Sequence, residues 1–181
     1  MAEKENGQDA AAAQQGAVGE GQQVQVGVLA QYVKDFSFEN PNAPAIFQKQ
    51  SDQKPQIDVN VNVNARKAGE ETYEVDLKMT ASAKQGDETA FMVELVYAGL
   101  FAARNLPQES LQPFLLIECP RILFPFARRI ISDATRDGGF PPLMLEPIDF
   151  AALYRQHLQQ QQEQTAGDGP SGSVETSQPI N

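Results

Sequence analysis

The sequence predicts an α+β fold: a four-stranded antiparallel sheet with C-terminal helices on one face. Three observations carry this reading. Apolar and polar residues alternate with a period of two through several segments between Val28 and Phe101, and short polar turns separate most of them. From Gln108 the apolar residues recur at helical spacing instead. Strands come first and helices after, which is the order of a sheet covered on one side.

Order is expected to begin at residue 24. The first 23 residues are Ala, Gln, Gly and Glu with few large apolar side chains, a composition that cannot offset its ordering entropy. Residues 24–164 are read as one domain. The Gln run then passes into GDGPSGSVETSQPIN, so residues 165–181 are read as a second disordered tail.

The first strand lies in VLAQYVKDFSFE, residues 28–39. Alternation puts Tyr32, Lys34, Phe36 and Phe38 on one side and Val33, Asp35, Ser37 and Glu39 on the other. Residues 39–56 contain three prolines and form a long connection, yet they include Ile46 and Phe47. A long loop with apolar anchors is usually functional or crosses other elements. IDVNVNVNA, residues 57–65, is the clearest strand, with Ile57, Val59, Val61 and Val63 inward and Asp58 and the asparagines outward. TYEVDLKMTASA follows with Tyr73, Val75, Leu77, Met79 and Ala81 inward and Glu74, Asp76 and Lys78 outward. The KQGDE turn leads into TAFMVELVYAGLF, where Phe91, Val93, Leu95 and Tyr97 oppose Ala90, Met92, Glu94 and Val96. Short turns make these last three strands antiparallel neighbours. One face of the sheet is then apolar and the other acidic.

The main helix is expected from about Ile122 to Arg136, starting near Pro120 or Arg121 so that Pro125 falls in its first turn. Its apolar residues spread over roughly 200°, where a surface helix needs a stripe of about 100°. Its own sheet covers one surface; a second subunit is expected on the other, at Ile122, Phe126, Ile130 and Ile131. Gly138 and Gly139 stop the helix and Pro141 and Pro142 prevent its resumption. The following loop is oily, with Phe140, Leu143, Met144 and Leu145. It either binds something or folds down onto its own core. The last helix begins after Asp149, a plausible N-cap.

Composition excludes several functions. The net charge is −10 in 181 residues, and no basic patch marks a nucleic-acid binder. No run of 18 apolar residues predicts a membrane span, and the N-terminus lacks the basic start and apolar middle of a signal peptide. Cys119 is the only cysteine, so neither an internal disulfide nor a cysteine metal cluster is expected. No Gly-rich phosphate loop, Ser/His/Asp set or HxxxH spacing occurs, and the single histidine, His157, reads as exposed on the last helix. The expectation is a cytoplasmic protein without a cofactor or metal that is not an enzyme.

Three segments resemble a known family. DFSFENPNAPAIFQ (35–48), YEVDLKMTASAKQGDETAFMVELVYAGLF (73–101) and CPRILFPFARRIISDATRDGGFPPLMLEPIDFAALY (119–154) are similar to the SecB family of bacterial protein-export chaperones. The resemblance covers about residues 28–160, and the blocks SFENPNAP and CPRILFPFAR are long and unusual. It implies a homotetramer, a dimer of dimers with helices sandwiched between sheets. It also implies an ATP-independent holdase that keeps precursors unfolded and passes them to the SecA motor. The family's motor-contacting positions fall on Asp35, Glu39, Met92 and Glu94, the same acidic side that alternation leaves open to water. That side would receive a basic, zinc-bearing tail of the motor, the zinc belonging to the partner. Clients are expected in grooves lined by Phe36, Phe38, Ile46 and Phe47 and by Phe140, Leu143 and Leu145. One departure stands out: FQKQS ends in Ser51, whereas many relatives carry a tryptophan shortly after FQ. An alternative within the same resemblance is a chaperone dedicated to one partner such as an antitoxin.

Overall fold

The computed structural model describes residues 23–48 and 55–167, with side chains to residue 160. The tails expected at 1–23 and 165–181 and the position of the absent tryptophan lie outside it, apart from Gln23 and residues 165–167. Strands β1 (Gln25–Glu39), β2 (Gln56–Lys67), β3 (Thr72–Gln85) and β4 (Glu88–Arg104) form one antiparallel sheet in the order β1-β4-β3-β2. The β2–β3 ladder keeps its register from Gln56↔Lys84 to Lys67↔Tyr73. At the β3–β4 turn, Gly86 takes φ +63°, a conformation glycine adopts without steric cost.

Strand β1 corrects the simple alternation. Its register against β4 shifts between Val28 and Ala30 and again between Val33 and Asp35, leaving Leu29 and Lys34 as extra residues. A bulge of this kind places two residues against one and resets the pleat. Past the second bulge Phe36 and Phe38 oppose Leu95 and Val93 on the inner face, as expected. Before it the sides are exchanged. Val33 stands opposite buried Tyr97, while Tyr32 and Lys34 reach the outer face and bond to Glu74.

That outer cluster makes Glu74 a structural acid. It is only 5% exposed and accepts hydrogen bonds from Arg66, Tyr32 and Lys34. Lys34 also pairs with Asp76 at 2.7 Å. Bonding by Arg66 and Tyr32, with Lys34 adding to it, lowers the Glu74 carboxyl from 4.5 to about 2. A carboxyl depressed in the folded state stabilises above its unfolded pKa, and that contribution is lost as pH falls through the folded one. Acid unfolding should therefore show a component between about pH 4.5 and about pH 2. Circular dichroism of Glu74→Gln checks this: the variant should be less stable at neutral pH and have a flatter acid limb across that window.

The helices pack on the inner face. Helix α1 (Gln108–Pro113) runs through one π-helical turn (Phe114–Glu118) directly into α2 (Cys119–Asp137). The chain is thus helical from Gln108, as its apolar spacing predicts, and α2 begins within two residues of the expected start; only Pro125, which lies beyond the first turn, departs from expectation. A wide π turn relieves the crowding of the Pro120 ring against the carbonyl four residues earlier. Pro125 is exposed, and inside α2 it gives up one backbone bond and crowds the Arg121 carbonyl one turn earlier.

Leu123, Ala127 and Ile131 of α2 are fully buried with Val75, Leu77, Leu95 and Phe101 of the sheet. Gly99 lets α2 approach this closely. A Cβ there would lie 2.8 Å from the Leu123 side chain and 2.6 Å from the Phe101 ring. Asp149 caps α3 (Phe150–Gly167), its Oδ1 accepting from the Ala152 amide at 3.0 Å. This helix runs past the domain end expected at residue 164.

Candidate functional site: two faces of one sheet

The inner face carries an aromatic ladder that joins three distant segments. Phe38 of β1 stacks on Phe91 of β4 at 5.9 Å, Phe91 meets Phe140 at 5.0 Å, and Phe140 meets Phe47 at 5.2 Å. Aromatic pairs at these separations add about 0.5–1.5 kcal/mol each beyond the area they bury. The connection holding Phe47 is tied down by Asn42, which donates to the Thr89 carbonyl at 2.9 Å, and by Asn40, which donates to the Gly138 carbonyl. Gly138 leaves room for the Phe38 ring, whose Cζ lies 2.3 Å from where a Cβ would stand.

Beside the ladder opens an apolar cavity of about 150 Å³ between Ile57, Phe91, Phe140 and Leu143. Thr135 lies behind it and holds the backbone of Leu143, one of its lining residues. This buried hydroxyl accepts from the Leu143 amide at 2.9 Å while lying within donating reach of the Ile131 and Ser132 carbonyls. Sequence reading passed over Thr135, because a hydroxyl inside an apolar helix has no spacing signature.

The seven residues expected to line a groove separate into three groups. Phe38, Phe47, Phe140 and Leu143 converge around this ladder and cavity. Ile46 and Leu145 are 4% and 7% exposed and belong to the core, so they support the groove without lining it. Phe36 is 42% exposed on the inner face and makes no ring contact with the ladder among the described residues. The oily loop is divided: Leu145 folds onto the core, while Met144 remains 61% exposed.

The outer face brings the expected partner-binding acids together. Register sets Glu39, Met92, Ser82 and Asp58 opposite one another across all four strands, with Ser37, Glu94, Thr80 and Asn60 as the next row. These residues edge a shallow depression of about 200 Å³. Asp35 lies two residues before Ser37 on the same side and is exposed, as is Glu39. Met92 is 44% exposed. Asp58 was legible only as an outward residue; cross-strand register, which no single segment reveals, adds it to this row.

The residues assigned to a subunit contact also divide. Ile122 and Phe126 are 39% and 44% exposed and Ile130 is half-buried, so α2 keeps an apolar outer stripe. Ile131 is 0% exposed in the protomer's own core and is removed from that surface. Phe126 stacks on the buried Tyr97 ring at 6.2 Å, which anchors the stripe to the sheet. Burial pushes the Cys119 thiol up to about 12, so it is a small core side chain and not a reactive group. Among the described residues no His, Cys, Asp and Glu group is placed to hold a metal ion, and no helix is long and apolar enough to cross a membrane.

The sheet thus presents a shallow apolar groove on one face and a row of acids on the other. Comparison with known proteins gives the family that shares this arrangement of sheet and helices. Residues 19–161 match the family described as Preprotein translocase subunit SecB. The chain is 60% identical over 143 residues to the protein-export protein SecB of Rhizorhabdus wittichii, across 79% of this chain and 85% of that relative. It is 59% identical over 137 residues to the SecB of Zymomonas mobilis, across 76% and 82%. A SecB-like chaperone from Mycobacterium tuberculosis, solved with an antitoxin peptide, shares the fold at a TM-score of 0.57 and 18% identity. It covers 68% of this chain and 90% of its own. The chain belongs to the SecB family of protein-export chaperones.

Proposed function

We propose that the chain is a cytoplasmic, ATP-independent holdase that keeps precursor proteins unfolded and delivers them to the SecA motor as a homotetramer, a dimer of dimers. The separation of two binding surfaces on one sheet carries this reading. Unfolded chains expose aromatic and aliphatic side chains, and the ladder from Phe38 to Phe47 offers them a groove. Contacts of this kind are many and individually weak, so recognition tolerates client sequence. The acids Asp35, Glu39 and Glu94, with Met92 among them, face the other way and leave the motor a surface that a bound client does not occupy.

Support for assembly comes from the exposed stripe Ile122–Phe126, which a monomer would leave in water. A reading as a chaperone dedicated to one antitoxin draws on the M. tuberculosis neighbour, whose likeness extends to the fold alone. The open acids favour the motor.

Charge reversal tests the motor surface. Exposed ion pairs contribute about 0–1 kcal/mol, so a partner relying on them must use several at once, and its binding weakens as salt rises. Asp35→Lys, Glu39→Lys and Glu94→Lys are each expected to weaken SecA binding about three- to tenfold at low salt by calorimetry. Client binding and assembly should be unchanged. Glu74 is unsuitable as a control because its loss disturbs the Tyr32–Lys34–Arg66 cluster; exposed Asp87 in the β3–β4 turn serves instead. Equal losses for Asp87→Lys would assign the effect to the charge of the whole protein.

A further inference from the structure

One acid of the proposed motor surface is already occupied. Asp35 and Glu39 have no ion-pair partner among the described residues, whereas Glu94 pairs with Lys78 at 2.6 Å. The pair runs diagonally across β3 and β4. Thr80 stands directly opposite Glu94, and Lys78 lies two residues along β3, opposite Val96. Glu94 edges the outer-face depression while Lys78 stands outside it, so the ammonium holds the carboxylate from the rim. Both side chains remain open to water, at 49% for Lys78 and 40% for Glu94.

We propose that Lys78 is an intramolecular competitor that sets the threshold for partner capture on this face. The inference rests on the motor reading of the preceding subsection. A single incoming ammonium gains little at Glu94, because it exchanges one cation for another of the same kind and must desolvate to do so. A partner that engages Asp35 and Glu39 at the same time recovers the loss of the Lys78 contact elsewhere. Lys78 therefore lowers the affinity of the face for stray cations and isolated basic side chains more than for a segment carrying several positive charges in the right array. The residue is a specificity determinant, although it belongs to the chaperone and makes no favourable contact with the motor.

The test is a double-mutant cycle read by calorimetry with purified SecA and the full-length protein at low salt. Lys78→Gln is expected to tighten binding about two- to fivefold, the range an exposed ion pair supplies. In a Glu94→Gln background the same change should tighten it clearly less, because no carboxylate is left to release. Lys84→Gln, at the end of β3 and outside the depression, controls for net charge. The proposal is overturned if Lys78→Gln leaves SecA binding unchanged or weakens it, or if Lys84→Gln or the Glu94→Gln background gives the same gain. Absence of SecA binding by the unmodified protein, or binding that Asp35→Lys and Glu39→Lys do not weaken, would instead refute the motor surface itself and the competitor with it.

Discussion

Replacing Ile131 by Asp is expected to unfold the protomer, while Phe126→Asp should leave a folded protomer that no longer assembles. Both residues lie on α2 and both are apolar, so sequence gives them equal weight. Their surroundings differ. Ile131 is fully buried with the residues of α2 and the sheet that form the core, and an aspartate there would have no partner. Burying an unpaired charge costs several kcal/mol, a large share of the ~5–15 kcal/mol that holds a domain of this size together. Phe126 is 44% exposed. A charge there stays hydrated in the free protomer and is buried only if another subunit covers the stripe. Circular dichroism and light scattering separate the two outcomes: Ile131→Asp should lose its folding transition, whereas Phe126→Asp should keep it and fall to a smaller mass. A Phe126→Asp protein that remained tetrameric would remove this stripe from the assembly.

The second large effect is expected in client holding. Phe47 and Met144 are 50% and 61% exposed and Leu143 lines the apolar cavity, so all three offer apolar surface without carrying the core. Burying a large apolar side chain is worth about 1.5–3 kcal/mol when complete. Partial burial of three such residues by a client therefore amounts to roughly 3 kcal/mol, about a hundredfold in affinity. A Phe47→Ser, Leu143→Ser, Met144→Ser triple variant should lose most of its ability to suppress aggregation of an unfolded precursor while retaining its mass and a cooperative thermal transition, lowered only by the lost Phe47–Phe140 and Leu143 contacts. Leu145→Ser makes a useful contrast. That residue is 7% exposed, so its replacement should lower the thermal transition in addition to any loss of holding. Unchanged suppression by the triple variant would take the loop and Phe47 out of the client surface.

Much of this architecture could be read from the chain because its signals are local. The alternation of Ile57, Val59, Val61 and Val63, the Gly86 turn and the Asp149 cap each depend on a few adjacent residues, and each is found where it was expected. Misreadings arose where one residue changes the meaning of its neighbours. Lys34 occupies a bulge, which reverses the sides of Val33, Tyr32 and Lys34 relative to Phe36, and nothing in YVKDF announces an extra residue. The π turn before Cys119 left no local signal, because it depends on the packing of the whole helical segment, and Pro125 falls beyond the first turn in which it was expected. The candidate surfaces divided in the same way. Outward acids were legible from period two alone, but their alignment with Asp58 required the register of all four strands. The wide apolar arc of α2 was also legible. Which of Ile130 and Ile131 faces the core depended on how α2 sits against Gly99, and that contact joins residues far apart in sequence.

The protein is proposed to hold unfolded precursors without nucleotide and to yield them to the motor. The most direct measurement is light scattering after a denaturant-unfolded outer-membrane precursor is diluted into buffer containing the protein and no ATP, followed by addition of SecA. Scattering should be suppressed once the protein matches the precursor in amount, and a ternary complex with SecA should then form and be weakened in the Glu39→Lys variant. Scattering equal to that of the precursor alone, across a tenfold excess of the protein, would contradict it.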